Sequence, residues 1–174
     1  HAVIGMVNGE ITTTDGGYTD RIDVDYDILK IAVIERHKNT HHIGLGYIKG
    51  YGLKKGAVAT SISHDSHNII VVGTNEEDMA FAANHIVRSH GGITVVEEGQ
   101  VKGDVLLAIA GIMSDDSLVN VNRDLEAAKA AAYALGVSEG IDPFMTLSFM
   151  ALPVIPSLRI TTRGVFDVNS QRYV

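Results

Sequence analysis

Several kinds of residue that would mark particular classes of protein are missing from this sequence. The chain has no cysteine, so it forms no disulfide, offers no thiolate nucleophile and provides no cysteine ligand for zinc. It also lacks a long apolar run, because its most apolar stretch, 144–155, is short and carries Thr146, Ser148 and Pro153. We therefore expect no membrane contact, and a cysteine-free chain is compatible with a cytoplasmic location.

An excess of positive charge is missing as well. The 174 residues include 14 lysines and arginines against 21 aspartates and glutamates, which gives a formal net charge of -7. Proteins that bind nucleic acids or anionic membranes usually present a basic face, so we expect neither partner. The 45% of hydrophobic and 20% of charged residues are typical of a folded globular chain. We predict a single domain over 1–174.

Short apolar runs rich in β-branched residues predict a protein dominated by strands. Residues 1–27 are interpreted as a peripheral strand pair that turns at Asn8-Gly9, followed by an exposed connection. Further strands are predicted at 28–36, 43–48, 57–62, 68–73, 93–97, 101–109 and 158–161. Many connections are too short for a helical crossover, so antiparallel pairing must be common. The predicted fold class is α+β, with a largely antiparallel or mixed sheet and two main helices.

The two helices are predicted at about 74–90 and 116–135. Thr74 and Glu77 have the spacing of a capping box at the start of the first helix. Apolar residues at helical spacing predict a buried stripe on the second: Leu118, Val121, Leu125, Ala128, Ala132 and Leu135. The apolar segment 142–157 carries Pro153 and Pro156 and is interpreted as irregular and buried.

The densest group of reactive side chains is His64, Asp65, Ser66, His67 and Asn68, placed between two predicted strands. Two histidines three apart in a loop could bind one metal ion, with the aspartate as the nearest third ligand. The serine beside a histidine could form a nucleophile and base pair, although no strand-turn-helix elbow surrounds it. The group could also form a polar binding edge, or simply satisfy the backbone of a turn. The spacing leaves these alternatives open.

Four segments of the chain resemble the C-terminal domain of bacterial and archaeal adenine deaminases. They are residues 43–57, 63–73, 109–115 and 142–156, and they occur in the same order over nearly the whole chain. The resemblance implies an enzyme of the amidohydrolase superfamily, an adenine aminohydrolase of purine salvage that converts adenine to hypoxanthine and ammonia. It also implies a divalent metal, manganese, iron or zinc, bound by a preceding (β/α) barrel.

The chain is too short to contain that barrel, which needs about 250 residues. Its first residue is His1 rather than Met, so we expect a piece of a longer polypeptide that binds no metal itself and is inactive alone. The expected partners are the barrel, adenine and further copies in a homo-oligomer. Residues 64–68 are expected to complete or cover the purine site at the barrel mouth. The alternative is a module without catalytic contacts that only packs the barrel or builds the oligomer.

Overall fold

The computed structural model describes residues 1–174 and has an α+β fold, as the sequence predicted. Its strands are β1 (Ala2–Met6), β2 (Thr13–Tyr18), β3 (Ile28–Ile34), β4 (Ile43–Lys49), β5 (Ala57–Thr60), β6 (Ile69–Gly73), β7 (Gly92–Glu97), β8 (Gln100–Leu106), β9 (Leu158–Thr161), β10 (Gly164–Asp167) and β11 (Arg172–Tyr173). Its helices are α1 (Glu76–Arg88), α2 (Leu118–Ala134) and α3 (Pro143–Met150), besides a short 3-10 turn at Val24–Tyr26.

Eight strands form one mixed sheet in the order β2-β1-β4-β3-β6-β5-β7-β8. Every neighbouring pair is antiparallel except β1 and β4, which run parallel. The first strand pair therefore extends the main sheet at one edge. The strands β9, β10 and β11 form a separate antiparallel sheet. Short connections such as β5 to β6 and β7 to β8 require antiparallel neighbours, which is why the mixed sheet was predictable.

The two faces of the large sheet bury different side chains because successive residues of a strand point to opposite sides. On β3, Leu29, Ile31 and Val33 belong to the main core of 27 buried residues, which also includes side chains of α2, α3 and the small sheet. Ala32 points the other way and joins a second core of 10 buried residues with the inner face of α1. The sheet is thus covered on both sides, and its central strands are held firmly.

The small sheet approaches β4 so closely that residue 44 must lack a side chain. A Cβ at Gly44 would lie 1.8 Å from the Thr161 carbonyl oxygen and 2.6 Å from the Gly164 amide nitrogen. Both neighbours are backbone atoms, so neither could give way without moving β9 and β10. The glycines that interrupt the predicted strand 43–48 are therefore explained by packing between two sheets.

The predicted capping box at the start of α1 is wrong by one residue. Asn75, rather than Thr74, is the N-cap: its side-chain oxygen accepts from the Asp78 amide at 2.7 Å. The Thr74 hydroxyl instead donates to the Gly56 carbonyl at 3.2 Å. Asparagine is among the best N-cap residues, and its side chain is the one placed to reach the third helical amide. The helix is accordingly shorter than the predicted 74–90.

The second helix also begins later than predicted, after the N-cap Ser117. Ala128 and Ala132 of the predicted stripe are buried, and the Ala128 Cα would lie 2.6 Å from a Cβ at Gly103 of β8. Leu118 was expected on the same buried stripe, but it is 84% exposed. Val119 is 78% exposed as well, so the first turn of α2 leaves its apolar side chains uncovered within this domain.

The sequence analysis missed α3, because segment 142–157 was interpreted as irregular. Asp142 is its N-cap and accepts from the amides of Phe144 and Met145 at 3.0 and 2.8 Å, while Pro143 occupies the first turn. Proline is favoured at this position. Its exposed residue Met145 is as apolar as its buried residues Phe144 and Leu147, so the helix lacks the amphipathic periodicity by which surface helices are recognised.

Candidate functional site: the histidine loop

All five candidate site residues lie in the connection from β5 to β6, residues 61–68, which we call the histidine loop. Its flanking strands occupy the interior of the large sheet, so both ends of the loop are fixed. The loop also closes on itself: the His67 amide donates to the Ser63 carbonyl at 2.5 Å, and the Ser63 amide donates to His67 Nδ1 at 3.3 Å. The imidazole is therefore held by the backbone of its own loop.

The two imidazoles of the loop are brought together. The rings of His64 and His67 meet edge to face with centroids 5.6 Å apart, and the His64 ring lies 4.9 Å from the ring of Phe149. The His64 amide also donates to the Ser148 carbonyl at 3.0 Å. The missed helix α3 is therefore the element that supports this side of the loop.

The protonation state of His67 follows from its surroundings. Burial lowers the pKa of His67, and the neighbouring His64 and Arg36 lower it further. The ring is therefore neutral at pH 7. Because Nδ1 accepts from the Ser63 amide, the proton of the neutral ring resides on Nε2. The loop thus offers a neutral imidazole N–H as a hydrogen-bond donor.

The remaining candidates divide between the tip and the base of the loop. Asp65 and Ser66 are exposed at the tip, whereas Asn68 is buried at the base. The Asn68 side chain accepts from the Arg36 amide at 3.3 Å and donates to the Ser66 hydroxyl at 3.1 Å. The Ser66 carbonyl meets His37 Nε2 at 2.6 Å. Asn68 therefore stabilises the loop, and the partner of the Ser66 hydroxyl is an amide rather than an imidazole.

No three histidine, aspartate or glutamate side chains of the chain are grouped so that they could hold a metal ion. The histidine loop itself supplies two adjacent imidazoles, and a catalytic zinc site ordinarily takes three protein ligands. The residues present therefore do not fit a complete metal centre.

Arg36, just after β3, is a residue of this site that the sequence analysis did not single out. Its Nε donates to the His67 carbonyl at 2.5 Å, and one terminal nitrogen donates to the Ala110 carbonyl at 2.6 Å. Burial lowers the pKa of Arg36, which nevertheless stays charged at neutral pH. One guanidinium thus joins the histidine loop to the segment that follows β8. An arginine at the end of an apolar strand was the only signal in the sequence.

Ser61 makes a second connection between the same two segments. Its buried hydroxyl donates to the Gly111 carbonyl at 2.6 Å and accepts from the Gly92 amide at 2.8 Å. A Cβ at Gly111 would lie 2.5 Å from the Arg36 guanidinium. Three of the four segments on which the family resemblance rested, 63–73, 109–115 and 142–156, therefore meet at this end of the sheet.

A cleft of about 650 Å³ lies beside the histidine loop, lined in part by Arg36, His37, Lys38 and His90. Its shape depends on Glu35, whose carboxylate accepts from the backbone amides of residues 37, 38 and 40 at 2.5, 2.7 and 3.0 Å. These bonds, that from the Thr40 amide first, lower the pKa of Glu35 to about 2. The turn that carries His37 to the Ser66 carbonyl is thus organised by one carboxylate.

The adenine deaminase C-terminal domain family matches this chain over residues 5–172. The chain belongs to that family. Adenine deaminase of Bacillus subtilis is 50% identical over 152 residues, covering 87% of this chain and 26% of the relative. Adenine deaminase 2 of Carboxydothermus hydrogenoformans is 46% identical over 176 residues, covering 97% of this chain and 31% of the relative. Adenine deaminase of Listeria monocytogenes is 46% identical over 159 residues, covering 91% of this chain and 27% of the relative.

This adenine deaminase C-terminal domain spans only 26 to 31% of the length of those relatives. None of its helices is long and apolar enough to cross a membrane. The histidine loop, α3 and the segment that follows β8 all lie in this one domain. The relatives that contain such a domain are several times longer than this chain.

Proposed function

We propose that this chain is the C-terminal part of an adenine deaminase, acting in cytoplasmic purine salvage, and that its histidine loop completes or covers the purine site. The reaction is the hydrolysis of adenine to hypoxanthine and ammonia. The observation that supports a site role is the meeting of three family-like segments at the histidine loop, with two imidazoles on a rigid support.

The loop offers groups that suit a purine. The His67 Nε2–H can donate to a ring nitrogen of adenine, and the exposed Asp65 carboxylate can accept from the exocyclic amine. Imidazole rings also provide faces on which a flat base stacks. These residues would bind and orient the base and exclude water from one side of it. A divalent metal, manganese, iron or zinc, held outside this chain would supply the activated water of the hydrolysis.

The proposal is tested by replacing the imidazoles in the full-length enzyme. We expect His64→Ala and His67→Ala each to lower kcat/KM for adenine by roughly 10- to 100-fold, as the loss of one positioned hydrogen-bond donor or stacking group would do. His42→Ala is the matched control, because His42 is an exposed histidine outside the loop. Thermal unfolding of each variant separates a lost contact from a lost fold. Turnover like that of the control would contradict the proposal.

A second candidate function is a module that packs the rest of the enzyme or builds a homo-oligomer. It is favoured by the internal contacts of the loop, since His67 Nδ1 is occupied by the Ser63 amide and the His64 ring by Phe149. On this alternative the same alanine variants would leave kcat/KM unchanged and would alter the sedimentation coefficient or the concentration dependence of assembly. Sedimentation velocity of the full-length variants distinguishes the two functions.

A further inference from the structure

Exposed apolar side chains are concentrated in the segment from the end of β8 to the start of α2. Leu106 is 49% exposed, Ile109 45%, Met113 52%, Leu118 84% and Val119 78%. We call this segment the 106–119 surface. Isolated exposed apolar residues are ordinary, but a concentration of large apolar side chains usually marks a surface that binds another protein segment or domain.

The 106–119 surface is held in a defined shape. The Arg36 guanidinium binds the Ala110 carbonyl, and the Ser61 hydroxyl binds the Gly111 carbonyl. Within the segment, the amide of Ile109 donates to the Met113 carbonyl at 3.0 Å, and the reciprocal bond is 3.1 Å long. The backbone is therefore anchored at its centre, and the apolar side chains are exposed on a prearranged support.

A shallow cleft of about 320 Å³ adjoins the 106–119 surface. Its apolar lining is formed by Val105, Leu106 and Val121, and its polar lining includes the carboxylates of Asp115, Asp116 and Asp124. Stable interfaces combine an apolar centre with a polar rim, and charges across them are complementary. A partner that fits here presents apolar side chains flanked by lysine or arginine.

We propose that the 106–119 surface docks against the portion of the same polypeptide that precedes this domain. This chain spans only 26 to 31% of its relatives, so most of the enzyme lies outside it. Arg36 and Ser61 tie the surface to the histidine loop. Docking here therefore brings the preceding portion to the end of the sheet that carries the imidazoles. The inference rests on the proposed function in taking this chain as one part of a longer enzyme.

The absence of cysteine from this chain makes the proposal directly testable. Met113→Cys and Leu118→Cys are introduced separately into the full-length enzyme and treated with a maleimide. Peptide mass spectrometry identifies the modified position, so that cysteines elsewhere in the enzyme do not interfere. We expect native protein to react at least tenfold more slowly at each position than the same variant unfolded in urea. Tyr18→Cys is the matched control and should be labelled at a similar rate in native and unfolded protein, because Tyr18 is 75% exposed on β2, at the opposite edge of the large sheet from β8.

Two results would overturn the proposal. The first is native labelling at residues 113 and 118 as fast as in the unfolded protein, which would show that the surface is open to solvent. The second is protection that disappears as the enzyme is diluted and its oligomer dissociates, which would assign the surface to contact with a second copy. Labelling requires no turnover, so protection can be measured even in variants of the histidine loop that have lost activity. Failure of the purine-site role and failure of the docking role are thereby distinguished.

Discussion

Replacing Arg159 by methionine should destabilise the fold. Arg159 is fully buried in β9, yet none of the ion pairs of the chain includes it. Its guanidinium donates instead to four main-chain carbonyls, those of Ile11, Phe149, Ile155 and Pro156. These carbonyls lie in the β1–β2 connection, at the end of α3 and in the chain leading to β9. One side chain therefore ties three segments together.

The size of this destabilisation depends on whether each of the four carbonyls keeps another hydrogen-bond donor. The Phe149 and Pro156 carbonyls also accept the amides of Leu152 and Thr13. The carbonyls of Ile11 and Ile155 depend on the guanidinium, and two such orphaned acceptors cost about 4 kcal/mol. The two shared bonds add about 2 kcal/mol.

Part of that loss is offset by the charge that Arg159→Met removes from the core. Burial lowers the pKa of Arg159 to about 10, which corresponds to about 3 kcal/mol of desolvation cost for the charged form. Setting this gain against the lost bonds predicts that the free energy of unfolding falls by about 3 kcal/mol.

Urea unfolding of the chain at pH 7, followed by circular dichroism, measures this difference. The control is Arg163→Met, because Arg163 is exposed on the β9–β10 turn and lies over the Tyr173 ring at 5.5 Å. We expect the control to change stability by less than about 0.5 kcal/mol. A loss at residue 159 no larger than at residue 163 would refute the reasoning, since it would mean that water replaces the guanidinium at the carbonyls.

Two further predictions concern Asp78 and Arg36. Burial would raise the pKa of Asp78, but hydrogen bonds from the Gly99 amide and the Asn75 side chain keep it below its ordinary value. The contribution of Asp78 to the free energy of unfolding is therefore present above about pH 4 and is lost as pH falls through the lowered pKa. Asp78→Asn should cost about 2 kcal/mol at pH 7, a difference that shrinks in acid; a difference independent of pH would contradict this. Arg36→Lys should cost about 1 kcal/mol and speed amide exchange in residues 61–68 and 109–113, because an ammonium cannot reach both carbonyls. Equal exchange in Arg36→Lys and the control Arg88→Lys would refute it.

The local sequence pattern was enough to predict most of the strands and helices. It could not decide which of two adjacent residues, both able to cap a helix, is the N-cap of α1. Both Thr74 and Asn75 can cap a helix, and each is followed three residues later by a carboxylate. Only the extended backbone of Asn75, with φ of -153° and ψ of 156°, places its side chain over the first turn. The helix α3 was missed for a different reason, because apolar side chains on both its buried and its exposed sides remove the periodicity that marks a surface helix.

The candidate site was partly predictable. The polar density of His64 to Asn68 between two apolar strands singled out the loop, although the first strand ends at Thr60 and the second begins at Ile69, rather than at the predicted residues 62 and 68. The contact from Arg36 to Ala110 was not predictable, because it joins residues 74 positions apart. Such a hydrogen bond depends on the order of the strands in the sheet, and that order cannot be predicted from the local periodicity of the sequence.

The sequence by itself determined the strand-rich α+β class, the two amphipathic helices and the family, because these follow from periodicity and from motifs that are local in the chain. Only the tertiary structure decided that Arg159 is buried among carbonyls and that the apolar side chains of the 106–119 surface remain uncovered. Burial is a property of the neighbours that folding brings together. An arginine within a strand and a leucine at the start of a helix have the same local pattern whether they face solvent or protein.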